Sequence, residues 1–170
     1  MGTVTDMHWM QSNKFDREVR PLADRHYNRR KVGSPQFVPP GRSLVLKMPG
    51  AFWITSWPFA QFVRHAWPGA WVCSAFRNES SGVLSSELIR EAVAATRWKY
   101  PDVPDLGMVT FVNADKVRHK RDPGRCFLKA GFRRVGITKG GLIALQLLPD
   151  EMPEPSAPMN QQVLMFGMSA

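Results

Sequence analysis

A chain of 170 residues, 44% hydrophobic and 22% charged, is long enough for one domain with a full core and too apolar to be disordered. Its formal charge of +9 and pI near 10.2 point to an anionic partner, nucleic acid first, although a phosphate-bearing small molecule suits the same charge. No apolar run approaches a membrane span and Met1–Met10 lacks a signal-type apolar stretch, so Cys73 and Cys126 read as free thiols of a soluble protein in a reducing compartment.

The first helical pattern runs from Phe15 to Arg30, where Phe15, Val19, Leu22, Ala23 and Tyr27 recur at helical spacing and arginines fill the other face. Pro21 either kinks this helix or starts a second one. Gly33, Pro35, Pro39, Pro40 and Gly41 make a loop. Ser43–Met48 and Ala51–Trp57 then flank Pro49-Gly50 as a hairpin, and Ala70–Arg77 is a third strand. Ser85–Trp98 is the strongest helix, with Leu88, Ile89, Ala92, Val93 and Ala95 on its inner side and a Ser-Ser-Glu opening that reads as its cap. Gly107–Val112 is strand-like, Pro123–Ala130 a short helix, and Arg133–Thr138 and Leu142–Leu148 two closing strands. This alternation predicts an α/β domain over residues 1–149 with a mixed central sheet and flanking helices. Residues 150–170 form a proline-rich tail that reads as detached, although Val163–Met168 is apolar enough to dock.

A strand at Met108–Asn113, a short helix ending Phe127-Leu128-Lys129-Ala130-Gly131-Phe132 and two further strands resemble the closing half of GNAT-type N-acyltransferases. The resemblance implies a GNAT-like fold, with the pyrophosphate of an acyl-CoA at the Asn78–Leu84 turn and the helix from Ser85. A helix start suits phosphate on physical grounds as well, through its open amides and dipole. Two departures stand out. The turn Asn78-Glu79-Ser80-Ser81-Gly82-Val83-Leu84 has one glycine and an acid in place of the family's glycine-rich turn, and Phe127 stands where a tyrosine general acid is usual.

The phrases Ala23-Asp24-Arg25-His26-Tyr27-Asn28-Arg29, Leu84-Ser85-Ser86-Glu87-Leu88-Ile89-Arg90 and Asp122-Pro123-Gly124-Arg125-Cys126-Phe127 further resemble the Mom-type DNA-modification proteins of bacteriophages, an outlying branch of that fold. That resemblance implies a cytoplasmic enzyme of a bacterial host. It would add a carbamoylmethyl or acyl-type group to the N6 amine of adenine and so protect phage DNA from restriction.

The candidate site residues carry alternative readings. His26 reads as a proton acceptor, a ligand for iron, or a half-buried structural histidine, and Tyr27 as a proton donor, base stacker or iron ligand, or as core. Ser85 and Ser86 read as a cofactor or substrate contact or as capping, Gly82 and Leu84 as further cofactor contacts, and Ser86 and Asn113 join His26 and Tyr27 as the catalytic candidates. Asn113 reads as a polar group at the sheet mouth or a strand-ending turn residue, and Arg125 as a cofactor contact. Arg25, Arg29, Arg30, Lys116, Arg118, Lys120 and Arg121 form the candidate surface for double-stranded DNA, or a solvated charged face. No Cys-x-x-Cys or His-Glu-x-x-His spacing marks a metal site, and His8, His26, His65 and His119 are scattered. Trp53, Trp57, Trp67 and Trp71 read mostly as core, with one available to stack on an extruded base. Three functions follow: a transferase that modifies adenine in DNA using acyl-CoA or another activated small-molecule donor, an N-acyltransferase acting on a small amine or a protein, or a non-catalytic DNA-binding protein.

Overall fold

The computed structural model describes residues 2, 4, 6–26, 32, 41–63, 65–114 and 124–162. Among them seven strands form one sheet in the order β1-β2-β3-β4-β5-β7-β6. The strands are β1 (Met10–Ser12), β2 (Arg42–Met48), β3 (Ala51–Trp57), β4 (Trp71–Asn78), β5 (Met108–Val112), β6 (Arg133–Ile137) and β7 (Ile143–Leu147). All neighbours pair antiparallel except β4 and β5, which run parallel. Three α-helices accompany the sheet: α1 (Arg20–Asp24), α2 (Ser85–Lys99) and α3 (Arg125–Lys129). The expected α/β architecture with a mixed sheet is therefore present, and no helix among the described residues is long and apolar enough to cross a membrane.

Local chemistry explains most boundaries. Pro49-Gly50 closes the β2–β3 hairpin with Gly50 at φ 81°, a conformation in which glycine alone is unstrained. Gly107 admits the start of β5 beside the end of β7, because a Cβ there would lie 2.0 Å from the Leu147 carbonyl oxygen. Helix α2 buries Leu88, Ile89, Ala92, Val93 and Ala95 against Leu44, Leu46, Trp53, Trp71, Met108, Leu145 and Leu147 on one face of the sheet. Within that layer Trp53 Nε1 donates to Thr55 Oγ1 (2.6 Å), the Thr55 and Thr96 hydroxyls meet at 2.8 Å, and Thr96 donates to the Ala92 carbonyl (2.8 Å). The opposite face carries Val45, Phe52 and Ile54, covered by Val19, Leu22 and Ala23 of the α1 region. Strand alternation separates the two sets.

Three expectations need correction. The helix expected over Phe15–Arg30 is, within the described residues, only Arg20–Asp24. Asn13 Oδ1 accepts from the Phe15 amide (2.9 Å) and Asp16 Oδ1 from the Glu18 amide (2.8 Å), so side chains hold this segment in turns until the helix begins at Arg20, with Pro21 in its first turn. Phe15 consequently stands exposed. A five-residue helix does not persist alone, and burial of Val19 and Leu22, about 1.5–3 kcal/mol each, keeps it in place. The Ser-Ser-Glu opening of α2 does not cap it: Leu84 is the N-cap, with no side-chain hydrogen bond, and Ser85 and Ser86 lie inside the first turn. The tail is not detached through residue 162. Ser156 N donates to the Ala94 carbonyl, Arg97 Nη1 to the Pro153 carbonyl and Met159 N to the Trp9 carbonyl, while Met152 and Ala157 are buried. Val163–Met168 lies outside the described residues.

The amino-terminal segment closes the same layer, a contribution with no sequence signal. Trp9 is fully buried and donates from Nε1 to the Leu88 carbonyl at 2.8 Å, and His8 Nδ1 meets the buried Glu91 carboxylate at 2.9 Å.

Candidate functional site

The parallel pair β4–β5 is short. Trp71, Val72 and Cys73 pair with Met108, Val109 and Thr110, after which β4 continues to Asn78 and β5 to Val112 without pairing to one another. The separation begins beside a bulge. Ile54 faces Ala75 and Thr55 faces Cys73, so the β3–β4 register skips Ser74, whose hydroxyl lies 2.9 Å from that of Ser56. Beyond this point no ladder joins the carboxyl ends of the two parallel strands, and the opening so defined, the β4–β5 crevice, is the kind of place in which α/β sheets hold ligands.

Helix α2 begins at the β4 side of that crevice. Asn78 shapes the turn leading to it: its Nδ2 donates to the Val83 carbonyl (3.0 Å) and to Ser85 Oγ (3.1 Å), and its Oδ1 accepts from the Ser80 amide (2.9 Å) and hydroxyl (2.5 Å). The hairpin tip braces the turn, since Glu79 N donates to the Gly50 carbonyl at 2.7 Å. Gly82 and Leu84 are exposed, and Ser85 and Ser86 are half-buried. The first-turn amides of α2 have no capping side chain and present the positive end of a fifteen-residue helix.

Glu79, the acid in this turn, is neutralised in place. Arg25 binds it through two bonds, Nε to Oε2 at 2.9 Å and Nη2 to Oε1 at 3.0 Å, and Arg77 Nε binds it as well. Hydrogen bonds from Arg25 and then Arg77 hold its carboxyl well below the usual range. Arg77 Nη1 also donates to the Arg25 carbonyl at 3.1 Å, so the end of α1 is tied to the end of β4. Arg25 is engaged with Glu79 and remains exposed at the surface.

His26 lies on the face opposite α2, its ring edge-on to Phe52 with centroids 6.3 Å apart. Burial first, then the Arg77 charge, lower its pKa from 6.5 to about 4, against a hydrogen bond to the Phe76 backbone that raises it. The imidazole is neutral at neutral pH. Asn113 follows β5 at the far side of the crevice and is half-buried. Of the predicted catalytic residues, His26 belongs to the α1 face beside the end of β4, Ser86 opens α2, and Asn113 follows β5. Tyr27, Arg29, Arg30, Lys116, Arg118, Lys120 and Arg121 lie outside the described residues.

Helix α3 begins at the crevice's β5 side, where Gly124 (φ 80°) is the N-cap and Arg125 stands exposed. Lys129, Arg133 and Arg134 continue an exposed basic surface along α3 and β6. Phe127 is core, with Trp53, Phe76 and Phe132 ring centroids 5.3–6.3 Å from its own. Tyr100 packs edge-on against Trp57 at 5.1 Å. Cys73 is buried and burial pushes its thiol pKa up.

No family model, curated protein or solved structure matches this chain.

Among the described residues no three His, Cys, Asp or Glu side chains converge as metal ligands. His8 pairs with Glu91 and His65 lies over Phe111, so neither joins His26 in an iron site. Sequence reasoning missed Asn78 and Arg77. An Asn followed by Glu-Ser-Ser-Gly was the available signal for the first, as an Asx-type turn before a helix. Arg77 carried none: Glu79 is only two residues on, but the Arg25 carbonyl that Arg77 also binds lies 52 residues away.

Proposed function

We propose that the protein is a GNAT-like transferase that moves a group from an activated, phosphate-bearing donor to an amine, with the N6 amine of adenine in DNA as acceptor. The observation that carries this reading is the crevice between β4 and β5, with the uncapped start of α2 at its edge. In this reading the donor's phosphates lie at the first-turn amides of α2, with Ser85, Ser86 and Gly82 beside them and Arg125 across the crevice. Neutralisation of Glu79 by Arg25 and Arg77 removes the repulsion an anion would otherwise meet. The acceptor enters from the α1 face, so donor and acceptor meet through the gap. The amine nitrogen bonds to the donor carbon, the donor's leaving group departs with its electron pair, and the nitrogen gives up a proton. His26, neutral at neutral pH, is the candidate acceptor of that proton. The net charge of +9 and the exposed basic surface of α3 and β6 support a polyanionic acceptor.

Nucleoside mass spectrometry on digested DNA from cells expressing the protein, beside an empty-vector control, tests this. A new adenosine mass is expected, and it identifies the transferred group. An unmodified profile with soluble protein present overturns the DNA acceptor. Neutralisation of Glu79 serves a phosphate-bearing donor whatever the acceptor, so the alternative is a small amine or protein as acceptor, which DNA-independent turnover of an acyl-CoA would reveal.

A further inference from the structure

On the α1 face of the sheet, a second feature borders the gap. Phe111 is the first residue of β5 beyond its last pair with β4. Alternation along β5 turns it away from the core that holds Met108 and Val112. Against it lie two rings from the loop between β3 and β4. His65 is 5.1 Å and Trp67 6.0 Å from the Phe111 ring centroid, and the two are 6.1 Å from each other. The three rings are tilted by 38–50° to one another and all are half-buried, so part of the ring surface stays open.

The loop is held rather than loose. Trp57 Nε1 donates to the Gly69 carbonyl at 3.0 Å, and Ala70 N donates to the Trp67 carbonyl at 3.3 Å. The Trp67 amide donates to His65 Nδ1 at 3.0 Å. That bond uses the Nδ1 lone pair, so the neutral ring carries its proton at Nε2 and is a hydrogen-bond donor there. The patch thus combines flat apolar surface with a donor in the plane of the His65 ring. A purely apolar ligand has no use for that donor. A heteroaromatic base uses both, and the chain's charge of +9 favours the polyanion that carries such bases.

We propose that this patch receives an unstacked nucleobase of a nucleic-acid strand, stacked on Trp67 and Phe111 and hydrogen-bonded by His65 Nε2. The assignment rests on the DNA-transferase reading in one respect: a base whose exocyclic amine is to react has to leave the duplex stack, and the patch gives it a place beside the gap. Base binding itself does not depend on transfer.

Fluorescence anisotropy with a dye-labelled single-stranded oligonucleotide and its counterpart with abasic central positions tests the proposal on the full chain. Wild type is expected to prefer the base-bearing strand. Trp67→Ala should weaken that strand by roughly 5- to 150-fold, the range one stacked base carries, and leave abasic binding and its salt dependence unchanged. Trp67→Phe should keep the preference, and His65→Phe should keep stacking while flattening discrimination among bases. Equal wild-type binding of the two strands overturns the proposal, as does a folded Trp67→Ala that keeps the wild-type ratio. Should Trp67→Ala not fold, a central 2-aminopurine decides on wild type alone: its emission changes on binding if the base stacks on the patch and stays unchanged if it does not. Modified adenosine in cells together with an unaltered Trp67→Ala ratio defeats this site and leaves the transfer reading standing. Base-dependent binding without modification does the reverse.

Discussion

Replacing His26 with Gln tests the electrostatics of the α1 face directly. Burial, followed by the nearby Arg77 charge, lowers the His26 pKa from 6.5 to about 4 in the folded protein. The unfolded chain takes up the proton first as pH falls. Stability from the neutral imidazole is therefore complete above about pH 6.5 and declines until about pH 4. At 1.36 kcal/mol per unit the whole window is on the order of 3 kcal/mol, and the part lost between pH 7 and pH 5 is about 2 kcal/mol. Urea unfolding of wild type and His26→Gln at both pH values measures it as a difference of differences. His65, lowered by burial, and Glu91, raised by burial, titrate in both proteins and cancel. Equal losses in the two proteins would refute the reasoning, as would an imidazole that titrates near 6.5 by NMR. There is a functional consequence. A base with a pKa of about 4 is weak in the free protein; if the proposed DNA acceptor brings phosphates near Arg77 they would offset its charge, so adding duplex DNA should move the His26 titration upward.

Two further outcomes are expected. Because Thr96 donates to Ala92, it accepts from Thr55, which in turn accepts from Trp53. Thr96→Val then strands the buried Thr55 hydroxyl and should cost about 1–3 kcal/mol, whereas the same change in a Thr55→Val background strands no new donor and should cost under about 1 kcal/mol. Additive losses in denaturant unfolding would contradict this chain of donors. At the crevice, Asn78→Ala removes the side chain that holds Ser80, Val83 and Ser85, so amide exchange at Ser80 should rise while the interior of α2 stays protected. Unchanged exchange at Ser80 would mean the turn is held by other contacts.

The sequence by itself determined the ladder of elements from the first hairpin to the last. Pro49-Gly50 between two apolar runs, the helical spacing of Leu88, Ile89, Ala92 and Val93, and the Ala130-Gly131-Phe132 closure are local signals, and backbone geometry converts each into an element. It also singled out the β4–α2 junction and His26, both of which the structure sets near the carboxyl end of β4. What only the tertiary structure decided lies between residues far apart in the chain. Strand β1 is three residues long and exists by pairing with Val45–Lys47, and residues 149–162 stay in place through carbonyls of α2 and Trp9. Glu79 is neutralised by Arg25 from 54 residues away, His65 meets Phe111 across a strand and a helix, and the part of α1 that forms is limited by side chains that capture backbone amides in turns. Hydrogen bonds and ring contacts of this range leave no periodic mark on the sequence, because their geometry exists only once the sheet has brought the partners together.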